Sequence, residues 1–369
     1  MDMVFKVFLA CAAIQLLYYL LVFLRLNFVR PLKGIAELLP PVSVIICAKN
    51  EAKNLQQFLK IVLIQQYKQF EVVVVNDQSD DNTIDVLVEY YKRNKNLKIV
   101  DIPKSTTKPY AGKKYALIKG LEAATFETIV VTDADCRPAT TQWLATLVGT
   151  YLDETQIVLG HSPYEERPGF LNKLIRYENF MTAMQYFGFA KAGLPYMGVG
   201  RNLSYKKGLM AGFKGFDKAK NVLTGDDDLF INAVAKSGNT EICIDKAAFM
   251  YTQPETTFSG WLNQKKRHLR SGFQYKFIHK LLLFVFALSN FTFYASLVVL
   301  LINIIQLKIV LTVFLALVLV KLITTFRVYK KLGFERLRFL SPILDVTYSG
   351  YLLIIFLLLL LKPKDSWKT

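Results

Sequence analysis

The pattern of apolar and polar positions divides the chain into three stretches. Residues 4–24 are almost wholly apolar, interrupted only by Lys6 and Gln15, and a run of that length is what an α-helix needs to cross the hydrocarbon of a bilayer. Residues 281–305, 309–325 and 343–361 form three more such runs, the second short and carrying Lys321. Between the apolar ends, residues 40–278 alternate short β-branched runs with segments that repeat an apolar residue every third or fourth position. After the break at Pro40-Pro41, residues 42–47 read as a buried strand. Leu55, Phe58, Leu59, Val62 and Leu63 then mark a helix over 50–67. Residues 71–75 form a second strand, 76–83 a polar turn, 84–94 a helix, 97–101 a strand, 113–124 a helix, and 128–131 a strand that ends at Thr132-Asp133-Ala134-Asp135. This order predicts an α/β fold with a mainly parallel sheet, whose ligands bind beyond the carboxyl ends of its strands. Residues 170–190 have a polar side of Lys173, Arg176 and Glu178, so they either lie against a membrane or pack on the sheet.

Residues 4–24 are longer than the apolar core of a signal peptide and no A-x-A-like site follows, so they read as an uncleaved anchor of residues 1–28. Residues 281–361 form the C-terminal transmembrane region. Arg25, Arg30 and Lys33 follow the first span, Lys265, Lys266, Arg267, His268, Arg270, Lys276 and Lys280 precede the second, and Arg327, Lys330, Lys331, Arg336 and Arg338 separate the third from the fourth. The positive-inside rule puts all three clusters, and the domain of residues 40–278, on the cytoplasmic side of a cell (inner) membrane with both termini outside. The tail lysines Lys362, Lys364 and Lys368 run against that topology.

Composition agrees with this division. Hydrophobic residues make up 53% of 369 and charged ones only 20%, below the roughly 25% usual in soluble domains, which excludes a simple soluble globule. Lys and Arg exceed Asp and Glu by 46 to 29, giving a formal charge of +17. The basic clusters border the spans and no nucleic-acid motif accompanies them, so the excess points to anionic headgroups and no nucleic acid. Cys11, Cys47, Cys136 and Cys243 stand alone and only three histidines occur. Neither a disulfide framework nor a zinc site is implied, and a reducing compartment fits.

No G-x-G-x-x-G follows the first strand and no P-loop occurs, so dinucleotide and P-loop folds are disfavoured. Carboxylates cannot cradle a diphosphate alone, but a divalent cation bridging the two can, and Asp133-x-Asp135 offers such a pair. The same spacing equally suits an Asx turn at a strand end.

Taken in order, 42–51, Asn76-Asp77-x-Ser79-x-Asp81-x-Thr83, Gly112-Lys113-x-x-Ala116-Leu117, Thr132-Asp133-Ala134-Asp135, Thr224-Gly225-Asp226-Asp227-Asp228-Leu229 and Gln264-Lys265-Lys266-Arg267-His268 form a set. It resembles the membrane-integrated family 2 glycosyltransferases, similar to the cellulose, hyaluronan and ceramide-glucoside synthases. The likeness covers residues 41–277. It implies a GT-A-like α/β fold, a mainly parallel mixed sheet flanked by helices, with one N-terminal and about three C-terminal transmembrane helices. It also implies an inverting, metal-dependent enzyme that moves a sugar from a UDP-linked nucleotide-sugar donor to a lipid or growing glycan acceptor at the membrane. By this resemblance Glu51, Asp77, Lys113 and Asp133 contact the nucleotide-sugar, Asp133 and Asp135 hold Mg²⁺ or Mn²⁺, Asp226 is the catalytic base, and Gln264 and Arg267 belong to the catalytic set. Lys114 reads as solvated, Asp80 as a helix-end charge, and Asp81 as either a ligand contact or such a charge. Residues 198–205 resemble the segment that lines donor sugar and acceptor, and read equally as a glycine turn.

Two positions depart from the family pattern. Gly225 stands where the family has Glu, which leaves the base open by one residue among Asp226–Asp228, and His268 replaces the Trp that serves the acceptor site of processive synthases. The second departure favours single-sugar transfer over a processive polysaccharide synthase. A non-catalytic scaffold would not need all three acidic motifs together, and too few spans are present for a transporter.

Overall fold

The computed structural model describes residues 1–31, 39–211, 213, 225 and 227–360. By contact the chain falls into two compact units, one of Arg30–Glu165 and Gly193–Pro254, the other of Met1–Val29, Glu166–Ala192 and Glu255–Lys364.

The first unit is built on a seven-stranded sheet in the order β3-β2-β1-β4-β7-β6-β8. Its strands are β1 (Val42–Ala48), β2 (Phe70–Asp77), β3 (Leu97–Ile102), β4 (Thr128–Asp133), β6 (Ile157–Leu159), β7 (Leu203–Lys206) and β8 (Thr240–Ile242). Strands β1 to β4 run parallel, β7 is antiparallel to β4 and β6, and β8 is parallel to β6. The expected mainly parallel mixed sheet is thus present. Val and Ile dominate β1, β2 and β4, and those strands are buried along almost their whole length, as central parallel strands covered on both faces must be. Helices Ala52–Leu63, Thr83–Arg93 and Lys114–Ala123 form where the periodicity predicts them. The last packs closely: a Cβ on Gly120 would lie 2.6 Å from Ile45 Cγ2.

From β1 the chain moves outward through β2 and β3, then returns to place β4 on β1's other side. That reversal opens a crevice at the carboxyl ends of β1 and β4. The register pairs Cys47 with Asp133 and Ala48 with Asn76, so Glu51, Asp77, Asp133 and Asp135 all belong to that one edge. Beyond it, β5 (Cys136–Pro138) pairs antiparallel with β9 (Met250–Thr252) and holds the chain just after the acidic pair.

The second unit is helical. Among the described residues three helices are long and apolar enough to cross a membrane: Asp2–Asn27, Phe277–Ile302 and Leu307–Lys331. A fourth run also forms a helix, Ser341–Leu360, but its described apolar part, Ser341–Ile355, is shorter than a span. One N-terminal and two C-terminal candidate spans therefore stand where one and three were expected.

Polar side chains tie these helices together. Gln15 donates to Phe286 O and Ser289 Oγ at 2.9 and 2.8 Å. Lys331 Nζ donates to the carbonyls of Leu26, Asn27 and Val29 at 3.0, 2.8 and 2.6 Å, a cation placed where the first helix presents its unpaired carbonyls. Helix Phe170–Lys191 belongs with the spans: Gly188 packs against Val22 and Phe23, and the Phe180 ring stacks on Tyr329 at 3.9 Å.

Candidate functional site

The turns after β1 and β2 are laced together at the open end of the sheet. Asn50 and Gln78 take left-handed conformations, φ 55° and 60°, which Asn tolerates better than most residues. Ser79 Oγ accepts from Asn50 N at 3.0 Å, and Asn50 Oδ1 accepts from Asp80 N at 2.7 Å. Asp81 accepts from the backbone N–H groups of Ala52 and Thr83, at the starts of two helices. Of its two readings, the helix-end one describes these contacts. Asp80 is exposed and pairs with Lys104 at 2.6 Å.

Asp77 is the last residue of β2 and 1% exposed. Its Oδ1 accepts from Lys108 Nζ at 3.0 Å, while Oδ2 is buried with no hydrogen-bond partner among the described residues. An unmet buried acceptor costs about 1–3 kcal/mol, which a ligand N–H or O–H would recover. Glu51 opens helix Ala52–Leu63 and its carboxylate accepts from Asn54 Nδ2.

The acidic pair lies at the end of β4. Donor atoms of Asp133, Asp135 and Cys136 all fall within 4.8 Å of one another. Burial raises the Asp135 carboxyl above its usual range, and the charges of Asp133 and Glu51 add to this while Arg201 opposes it. Burial likewise pushes the Cys136 thiol well up, with Asp135 and Asp133 contributing. The thiol therefore stays protonated and faces Asp135 Oδ1 at 3.4 Å. Beside this thiol stand two hard carboxylates with a third acid close enough to repel them, and oxygen donors of that kind suit Mg²⁺ or Mn²⁺.

Two cations face these acids. Lys113 Nζ lies 2.8 Å from Asp133 Oδ1. It precedes helix Lys114–Ala123, directly after Gly112, whose φ of 69° favours glycine. Arg201 stacks its guanidinium over Tyr164 at 4.8 Å, and its carbonyl accepts from Thr132 Oγ1 at 2.9 Å. Burial would lower its pKa, but Tyr164, Cys136, Asp133 and Asp135 outweigh that and keep it charged. Arg201 is held through Asn202, which is fully buried. The Asn202 amide donates to His161 O and Ala248 O, at 2.8 Å each, and accepts from Trp143 Nε1 at 3.0 Å. Sequence reasoning marked this glycine-bearing segment without singling out Arg201. The available signal was a lone arginine directly after Gly198-x-Gly200.

Lys114, expected in solvent, is fully buried. It shares the inner face of its helix with Leu117 and Leu121, at i+3 and i+7.

Asp226 and Thr224 lie outside the described residues. Asp227 caps helix Asp228–Val234, accepting from Asp228 N at 2.8 Å, and its other oxygen accepts from Gly200 N. A Cβ at Gly200 would stand 2.9 Å from that oxygen. Asp228 is buried and accepts from Leu229 N at 2.8 Å.

Gln264 and Arg267 belong to the helical unit, on helix Phe258–Gly272, whose N-cap Thr257 accepts from Gly260 N at 3.1 Å. Both side chains are partly exposed and His268 is exposed. The helix is seated by Trp261, stacked on Tyr351 at 4.2 Å, and by the Lys265–Glu178 ion pair. Trp261 is thus fully buried, whereas Phe273 and Phe277 are exposed.

The family model described as glycosyl transferase family group 2 matches residues 128–328, and that described as glycosyl transferase family 2 matches residues 43–210. A solved mannosyltransferase, PcManGT from Pyrobaculum calidifontis in complex with GDP-Man and Mn²⁺, shares the fold. It superposes with a TM-score of 0.59 at 19% identity, covering 94% of this chain and 98% of that one. A poly-beta-1,6-N-acetyl-D-glucosamine synthase of Staphylococcus epidermidis is 33% identical over 26% of this chain and 21% of its own length. The 4,4'-diaponeurosporenoate glycosyltransferase of Staphylococcus aureus is 26% identical over 63% of this chain and 58% of its own. The chain thus spans less than two thirds of the length of these curated relatives. With a family match over more than half of its residues and an acidic pair at the open end of a GT-A-like sheet, the chain belongs to the family 2 glycosyltransferases.

Proposed function

We propose that the protein is an inverting, metal-dependent glycosyltransferase that takes a sugar from a UDP-linked donor and passes it to a lipid or glycan acceptor at the cytoplasmic face of a membrane. The observation that carries this reading is the conjunction, on one sheet edge, of an acidic pair suited to a hard divalent cation and a buried Asp77 oxygen lacking a donor among the described residues. Asp77 accepts from a ribose hydroxyl or the base N–H and fixes the nucleotide's orientation, with Glu51 as the second acceptor. Asp133 and Asp135 hold the cation, which when bound neutralises charge on the departing diphosphate. Lys113 and Arg201 add positive charge on the same side.

The acceptor hydroxyl forms its bond to the anomeric carbon as the bond to the diphosphate oxygen breaks, the electron pair leaving with the diphosphate. Its proton goes to Asp226. Asp227 and Asp228 accept from backbone N–H groups, and the base is assigned to Asp226 by its place in the acidic motif. Gln264 and Arg267 serve the acceptor and the departing diphosphate. A guanidinium suits the latter through its paired donors.

The basic flanks of the spans support a cytoplasmic active site. Single transfer to a lipid is favoured by His268 in place of Trp. It also agrees with the names of the relatives, since the one matched over 63% of this chain is named for 4,4'-diaponeurosporenoate and the polymer synthase is matched over 26%.

The test uses membranes containing the full chain, a panel of labelled UDP-sugars together with GDP-mannose, and added Mn²⁺ or EDTA, followed by partition between organic solvent and water. UDP-sugar label in the organic phase that depends on metal is expected, and insoluble aqueous label would mean a polymer. Asp226→Asn should lower transfer by about 10²–10⁴-fold. Failure to hydrolyse or transfer any donor overturns the reading, and an Asp226→Asn variant as active as the parent overturns the base.

A further inference from the structure

The acids and cations at the end of β4 do not balance, and the imbalance has a sign. Asp133, Asp135 and Glu51 bring three negative charges into one cluster, while Lys113 and Arg201 bring two positive ones. The two cations are held differently. Arg201 is a stacked guanidinium on a backbone clamped by Asn202 and Thr132. Lys113 is a single ammonium on a flexible stem, joined to Asp133 Oδ1 at 2.8 Å and still 15% exposed. Of the two, Lys113 carries the more flexible stem and the more compact charge.

We propose that Lys113 is a latch on the cation site. Its ion pair with Asp133 opposes a divalent cation arriving alone and opens when the cation comes with a nucleoside diphosphate, whose phosphate oxygens then receive the ammonium. The inference rests on reading Asp133 and Asp135 as the cation-holding pair. A bare divalent ion would turn the cluster's charge from about −1 to +1 and would compete with the ammonium for the same carboxylate oxygen. A diphosphate arriving with it returns the total to negative and offers the displaced ammonium a better acceptor, since charge-assisted bonds to phosphate are among the strong ones. Cation and nucleotide therefore bind with positive coupling, and the coupling is reciprocal by linkage: each tightens the other by the same factor. Neither accumulates well alone, so the site is loaded by the complex that also carries the sugar.

The experiment measures free Mn²⁺ by electron paramagnetic resonance during titration of the detergent-solubilised full chain, with and without saturating UDP. For the parent, UDP should tighten Mn²⁺ binding by about 10-fold or more, within the range of allosteric couplings. Lys113→Met, checked for a parent-like circular dichroism spectrum and melting temperature, should bind Mn²⁺ alone about 10-fold more tightly and show a smaller UDP effect than the parent. Lys113→Arg, which keeps the charge, should hold Mn²⁺ alone as weakly as the parent. Equal affinity of parent and Lys113→Met for Mn²⁺ alone overturns the latch, and so does a parent in which UDP leaves Mn²⁺ binding unchanged, a result that needs no variant. Mn²⁺ binding that survives Asp135→Asn unchanged instead overturns the cation assignment itself.

Discussion

Lys321 is the single charge among residues 309–325 of the third span, ten residues before Lys331, or about 15 Å along the helix axis. Its Nζ lies 2.7 Å from Asp345 Oδ2 and 2.8 Å from Asn290 Oδ1. Asp345 also accepts from Tyr294 OH at 2.7 Å, Tyr177 OH at 3.2 Å and Asn290 Nδ2 at 3.4 Å, and Asn290 donates to Ser349 Oγ at 2.6 Å. With its four acceptor positions filled, Asp345 joins the second and third spans, helix Phe170–Lys191 and helix Ser341–Leu360. The Lys321 and Asp345 side chains are 11% and 5% exposed. Removing one partner of such a pair leaves an uncompensated charge and costs about 3–5 kcal/mol. Lys321→Met should therefore lose about that much, and Asp345→Asn a similar amount. The double variant should stay within about 1 kcal/mol of the parent, because an amide at 345 still accepts from a tyrosine hydroxyl on its one oxygen and donates to Asn290 in place of the ammonium, each such bond contributing about 0.6 kcal/mol in a membrane protein. The implied coupling energy, the two single losses less that of the double variant, is about 5 kcal/mol or more. Reversible denaturation of the four proteins in mixed micelles, followed by circular dichroism, measures the cycle. Additive losses, or a Lys321→Met loss below about 1 kcal/mol, would refute the argument that this pair locks the helices together.

Two further predictions concern the sheet unit. Burial alone would raise the Glu71 carboxyl, but the Lys98 ion pair at 2.7 Å and donors from Thr125 and Ser43 outweigh it and hold the group below the usual carboxylate range. Its stabilisation is present above the unfolded pKa of about 4.3 and is lost as pH falls through the lower folded value. Glu71→Gln should flatten the acid limb of the stability profile in that window, and an unchanged limb in urea titrations from pH 6 to 3 would count against it. Gly120→Ala should gain up to about 1 kcal/mol in helix propensity yet lose about 1–3 kcal/mol to overpacking, because Ile45 on the central strand has no space to yield. A net loss on chemical denaturation is expected, and it should shrink in an Ile45→Ala background, which lacks the Cγ2 that the new Cβ meets.

The strands β1 to β4 and the three helices between them were legible because each is long enough to show a complete period, apolar on the faces that meet a neighbour and closed by polar turns. The spans were legible for the same reason, since length and hydrophobicity are local properties. Strands β5, β6, β8 and β9 have three residues each, too few to show any period. They exist because the sheet edge and the β5–β9 pair supply partners from far along the chain.

Periodicity also says that a face is covered, not by what. Residues 170–190 left membrane and sheet open as their partner, and Phe180 and Gly188 instead pack on the span helices themselves. At the site, sequence placed the acids in order along the chain, because strand ends and Asp spacing are local. It could not say that Arg201 would face Asp133 and Asp135 from a loop almost seventy residues later. Nor could it say that Lys114 would be buried while Lys113 pairs with Asp133, or that Asp81 would meet helix starts. Which charge meets which is settled by long-range chain closure, which only the assembled sheet provides. What the chain determined by itself was the alternation of elements, the apolar spans and the family's acidic motifs. The tertiary structure decided the partners of each charge, since an ion pair or an unmet acceptor depends on distances that no local pattern encodes.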